Sequence, residues 1–119
     1  MTINNRSSRD LFPGALEMMI LESLRQQPAH GYALVHHIQQ RSNQLLQVEE
    51  GSLYPALQRL LKEKLVKAEW NISPSTNRRV RVYEITRAGM SHLEQEISRF
   101  DRMLQGIALV LGPGRLTAD

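Results

Sequence analysis

The stretch from Leu65 to Thr86, LVKAEWNISPSTNRRVRVYEIT, decides how the rest of the chain is read. Val66, Ala68, Trp70 and Ile72 alternate with Lys67, Glu69 and Asn71, the period-two pattern of a strand with one covered face. SPSTN is a cluster of turn residues, and RRVRVYEIT then resumes as a β-branched run. A hairpin with a tip of roughly five to seven residues follows from this order. Asn77, Arg78, Arg79 and Arg81 gather at or near that tip.

The hairpin is preceded by a helical pattern, EEGSLYPALQRLLKEKL, residues Glu49 to Leu65. With Leu53 at zero on a helical wheel, Leu57, Leu60 and Leu61 fall within about 100° of one another and define a core face. Ser52 is expected as the N-cap, which places Pro55 in the first turn, where a missing N–H removes no helical bond. The helix is read as Leu53 to Lys64. Its opposite face carries Pro55, Gln58, Arg59 and Lys62 and no acid except Glu63 at the edge. Tyr54 lies at the boundary, with its hydroxyl able to reach outward.

Two shorter helices precede it. Leu16, Ile20 and Leu24, widened by Met19 and Leu21, mark one from Ala15 to Gln26, closed by Pro28. HGYALVHHIQQRS marks the other, with Leu34, Val35 and Ile38 on one side and Gly31 permitting a tight turn ahead of it. Behind the hairpin, Thr86 is placed to cap a long last helix that ends at Gly112–Pro113–Gly114. Met90, Leu93, Ile97, Phe100, Leu104, Ile107 and Leu111 recur in it at spacings of 3, 4, 3, 4, 3 and 4. That is the seam of a coiled coil, which a second copy of the chain would complete. Packing of the same helix on the first helix of its own chain is compatible with this, because Met103, Ala108 and Val110 widen the apolar face.

Three helices, a hairpin and a long helix make a mainly α chain with a small β-hairpin. This is the order of a winged helix-turn-helix followed by a dimerisation helix. The expected division is a flexible arm over residues 1–10 and the winged domain over 11–86. The dimerisation helix then takes 87–112 and a tail 113–119.

Charge is unevenly spread. Residues 51–87 hold five Arg and three Lys against three Glu, a local +5 in a chain whose net charge is +3. A basic centre of this kind points to a polyanionic partner. There is no cysteine, which removes disulfides and thiolate metal sites. MTINNRSSRDLFPG lacks the apolar stretch of a signal peptide, and no apolar run approaches the roughly 20 residues that span a bilayer. A cytoplasmic chain without membrane contact is expected.

In a helix-turn-helix the second helix of the pair enters the major groove, and residues on its leading face read base edges. Ser52, Tyr54, Pro55, Gln58, Arg59 and Lys62 are the candidates on this helix. Gln suits adenine, Arg guanine and Lys a phosphate, and the helix N-terminus favours a further phosphate. Asn77, Arg78, Arg79 and Arg81 are expected on the backbone or in the minor groove. Arg81 fits equally well as a strand arginine lying over the sheet.

The segments LFPGALEMMIL, HGYALVHHI, EEGSLYPALQRL, AEW and RRVRVYEITRAGMSHL, in this order and spacing, resemble the PadR family of bacterial transcriptional regulators. The resemblance covers about Leu11 to Leu111 and is to the short members with a single C-terminal helix. It implies a homodimer, usually a repressor at an inverted-repeat operator, with Leu53–Lys64 as recognition helix and Asn71–Arg81 as wing. It also implies phosphate contacts from Tyr32 and Tyr54. The residues themselves allow both tyrosines to act as half-buried braces instead. Leu61 stands where relatives commonly carry Glu, so the junction with the wing is expected to pack differently. Phe100 stands where many carry Trp, a position that in some members stacks on a small-molecule effector at the dimer interface. Core packing is the competing role for Phe100.

No cofactor is implied, and nothing suggests an enzyme: there is no glycine-rich phosphate loop, no cysteine nucleophile and no carboxylate pair with an evident base. His92 and Glu96, or His30, His36 and His37, lack further ligands at regular spacing and are read as solvated side chains rather than a metal site. The alternative function is a winged-helix module that binds protein rather than DNA.

Overall fold

The computed structural model describes residues 14–116. Helix α1 (Ala15–Gln26) leads through a two-residue strand β1 (Ala29–His30) into α2 (Gly31–Arg41) and α3 (Glu50–Lys62). Strands β2 (Val66–Ile72) and β3 (Arg79–Ile85) form the hairpin, and α4 (Arg87–Leu111) completes the chain. The sheet has the order β1-β3-β2 and is antiparallel throughout.

The stripes read from the sequence meet in one core. Ile20, Leu21 and Leu24 of α1 pack with Leu34 and Ile38 of α2, Leu53, Leu57 and Leu60 of α3, and Val66 and Tyr83 of the sheet. Each such side chain contributes about 1.5–3 kcal/mol through the water it sheds. Leu61 packs half-buried against this cluster, as an apolar residue must at the junction with the wing.

Four expectations need correction. The sheet has a third strand, because the extended residues after Pro28 pair Ala29 with Tyr83 and His30 with Val82. Ser52 is not the N-cap of α3. Glu49 holds that position, and its carbonyl accepts the N–H groups of both Ser52 and Leu53. The helix starts earlier because Glu49 and Glu50 favour its positive end. Pro55 is therefore the sixth residue of α3 rather than part of its first turn, and it has no N–H to offer the Gly51 carbonyl. The third concerns the end of α3. Lys64 has φ 62°, and Leu65 N–H bonds to Leu60 O while Lys64 N–H bonds to Leu61 O. This Schellman closure ends the helix at Lys62 and turns the chain straight into β2.

The fourth correction concerns the seam. Thr86 does cap α4, accepting from Gly89 N–H at 3.0 Å and donating to the Lys64 carbonyl at 2.8 Å. Gly89 admits no side chain, since a Cβ there would collide with the Leu65 carbonyl oxygen. These contacts press the first turns of α4 into the domain, and Leu93 is 0% exposed within the core. Leu93 is consequently spent on its own chain and has no surface left for a partner. Beyond it α4 still passes the start of α1, where Glu96 and Arg99 lie beside Gly14, and its 25 residues span about 37 Å. Met90, Ile97, Leu104 and Leu111 remain 39–44% exposed.

Among the described residues no helix is long and apolar enough to cross a membrane.

Candidate nucleic-acid interface

The helical period of α3 that buries Leu53, Leu57 and Leu60 turns Pro55, Gln58 and Lys62 outward, and all three are exposed. Ser52, in the first turn, is half-buried. The start of α3 is already flanked by the Glu49 and Glu50 carboxylates. These occupy the positive end of the helix dipole, so the expected phosphate at that terminus is not favoured there.

Arg59 departs from the expected free basic side chain. Its Nε donates to Glu17 Oε2 of α1 at 2.8 Å, and Nη2 lies 2.6 Å from the same oxygen. The acid missing from the local sequence of α3 arrives from the neighbouring helix. It neutralises one of the candidate DNA contacts.

The wing is shaped by its tip, residues 73–78. Ser73 N–H bonds to Arg78 O at 2.7 Å, and Asn77 N–H to Ser73 O at 2.8 Å. Asn77 takes φ 58°, a left-handed conformation that Asn tolerates better than most residues. Arg78 is exposed beside it. In the register of the hairpin Trp70 faces Arg81 and Ile72 faces Arg79. All four thus stand on one face of the sheet. Nearer the domain the same face carries Ala68 and Tyr83 and enters the core. The Arg79 guanidinium lies 4.6 Å from the Trp70 ring centroid, and that of Arg81 lies 5.9 Å from Trp70 and 5.8 Å from Tyr83. Of the readings open for Arg81, the structure has it lying over the sheet, where it lines the side turned toward α3.

Between this face and α3 is an open cleft of about 730 Å³ that brings together Tyr32, Tyr54, Gln58, Trp70, Arg79 and Arg81. Tyr54 lies over the first residue of α2. A Cβ on Gly31 would sit 2.6 Å from its hydroxyl oxygen. The glycine thus leaves room for the tip of the Tyr54 ring, and a side chain there would need the ring to move. Burial raises the Tyr54 hydroxyl pKa, with smaller contributions from Glu50 and Tyr83, so it stays a proton donor. Tyr32 is exposed and meets the His36 ring edge-on at 4.5 Å. The Tyr54 ring thus lies against the start of α2 while staying 41% exposed, and Tyr32, at 57%, is the freer of the two.

His30 caps α2, its Nδ1 accepting from Ala33 N–H at 3.3 Å. Glu96 pairs with Arg99 at 2.9 Å, which holds its carboxyl below the usual range. No group of three or more His, Asp or Glu that could hold a metal occurs among the described residues. The alternation in the sequence marks Trp70 only as a strand residue. Its cross-strand neighbours Arg79 and Arg81 are the available signal, and that signal is readable only with the hairpin register.

Similarity to known proteins agrees with this geometry. The chain is 30% identical to a PadR-like transcriptional regulator of Bacillus cereus, with a TM-score of 0.69 over 82% of this chain and 92% of that one. It is 29% identical to a PadR family regulator of Eggerthella lenta, with a TM-score of 0.72 over 85% of each. Bacillus subtilis PadR, whose structure is in complex with operator DNA, shares the fold at 23% identity and TM-score 0.62, over 70% of this chain and 46% of that one. The model of the PadR-like transcriptional regulator family matches residues 20–95, and with the winged helix-turn-helix built around the α3 cleft the chain belongs to that family.

Proposed function

We propose that this regulator acts by binding operator DNA sequence-specifically as a homodimer. Helix α3 enters the major groove, and the wing lies on the backbone or in the adjacent minor groove. The observation that carries the reading is the cleft itself. It sets Gln58 of α3 against Arg79 and Arg81, neither of which meets a carboxylate among the described residues. Gln58 and Pro55 supply the groove face, Lys62 and Tyr32 reach phosphates, and Asn77, Arg78 and Arg79 follow the backbone. The winged domain spans residues 11–86, of which 11–13 lie outside the described residues, as does the proposed arm over 1–10. Residues 87–112 form the dimerisation helix and 113–119 the tail, with 117–119 outside the described residues.

The apolar residues that α4 leaves exposed support the dimer: Met90, Ile97, Leu104 and Leu111 on the seam, with Leu109 and Val110 beside it. The half-buried Phe100 and Ile107 lie on the same seam. A flat effector at Phe100 would sit between the two copies. Repression at an inverted repeat, in the cytoplasm, is the regulatory mode that fits a two-fold reader.

Fluorescence polarisation with the duplex upstream of its own gene, over a range of salt, tests the reading. Replacing Arg78, Arg79 and Arg81 by Ala should weaken binding and reduce the slope of log K against log salt by about 0.9 for each phosphate no longer neutralised. Absence of sequence preference at every salt concentration would refute it. Glu17, Glu49 and Glu50 around α3 are the features that favour a protein partner instead, and the same titration separates the two.

A further inference from the structure

Five of the described arginines are held, in two different ways. On the helices, Arg25, Arg59 and Arg99 each meet a glutamate: Glu22, Glu17 and Glu96. On the wing, Arg79 lies over the ring of Trp70 instead, and Arg81 lies between the rings of Trp70 and Tyr83. The acids of the hairpin are on its other face, where Glu84 is taken by Lys67 at 3.4 Å. A carboxylate fixes a guanidinium by cancelling its charge and filling its N–H edge. An aromatic face fixes it through the flat side and leaves both the charge and the N–H fork available.

Trp70 is 55% exposed and stands directly opposite Arg81 in the register, with Arg79 on the diagonal. Both contacts therefore follow from the pairing of the strands. An arginine on a free wing would lose much side-chain freedom on meeting a phosphate. One already laid on a ring has lost part of it beforehand.

We infer that Trp70 is the positioning residue of the wing, holding Arg79 and Arg81 with their N–H edges directed at two backbone phosphates of bound DNA. The inference rests on the DNA-binding reading above and adds to it the residue that orders the contacts.

The test uses the full chain, the duplex upstream of its own gene and a scrambled duplex of the same composition. Trp70→Leu keeps an apolar side chain but removes the π face. It should weaken binding on the order of ten-fold and flatten the salt slope by about 0.9 to 1.8, with its melting temperature close to that of the parent chain. Trp70→Phe retains a ring and should recover most of both. Trp70 is the one tryptophan of the chain. Its emission should therefore shift at the DNA concentration that half-saturates polarisation, and Arg79→Ala should change the emission of the free protein. A Trp70→Leu variant with the parent affinity and slope would overturn the inference and leave DNA binding standing. So would a Trp70→Phe variant as impaired as Trp70→Leu. A parent chain that binds neither duplex would overturn both.

Discussion

At the scale of single residues, the contact between Gly31 and Tyr54 joins α2 to α3, the proposed DNA-reading pair. The ring rests where any side chain at position 31 would have to be. Gly31→Ala should therefore displace the Tyr54 ring, which at 41% exposed has solvent to move into, and cost less than a clash in a closed core, about 1 kcal/mol; urea denaturation measures this. In a double-mutant cycle with Tyr54→Ala, most of the cost should vanish, because the smaller residue removes the obstruction. Additive effects would show that Gly31 is needed for another reason. The glycine is legible in HGY as structural, but its partner in α3 is not, since no local pattern records which ring lies over a given Cα.

At the scale of elements, the pair between Glu17 and Arg59 ties α1 to α3 across 42 positions of sequence. Arg59 is about half exposed, so the pair itself contributes no more than about 1 kcal/mol to stability. Its larger effect is on the electrostatics of the proposed reading surface, where it places an acid near the expected path of phosphates. Glu17→Gln should leave the melting temperature nearly unchanged. It should raise affinity for DNA of any sequence several-fold and steepen the salt slope by about 0.9, as one more arginine becomes available to phosphate. Unchanged affinity and slope would show that Arg59 faces away from the DNA. The outward positions of Gln58 and Lys62 needed only the helical period. The pairing of Arg59 needed the crossing of two helices.

At the scale of the molecule, α4 is shared between two roles. Its first turns belong to the domain through Gly89 and Leu93, and its remainder presents apolar residues to solvent. A two-fold dimer through that remainder must set two α3 helices about one turn of DNA apart, roughly 34 Å. Replacing Ile97 and Leu104 together by Glu should leave the fold intact and yield a monomer by sedimentation. Affinity for the operator should fall by a factor on the order of 10² or more, because the second half-site is then bound independently. A double variant that remains dimeric would place the interface elsewhere.

The sequence by itself determined the order of elements, the apolar face of each helix, the Thr86 cap, the length of the wing tip and the basic centre of the chain. All of these are set by residues within a few positions of one another, where periodicity and capping act. Tertiary structure alone decided that β1 joins the sheet and that Leu93 belongs to the core rather than the seam. It also decided that Glu17 pairs with Arg59 while Arg79 and Arg81 lie near the ring of Trp70. Most of these depend on distances between groups far apart in the chain, which only the packing of helices and the register of strands can set. The start of α3 turned on a competition between Glu49 and Ser52 for one cap, which composition left open.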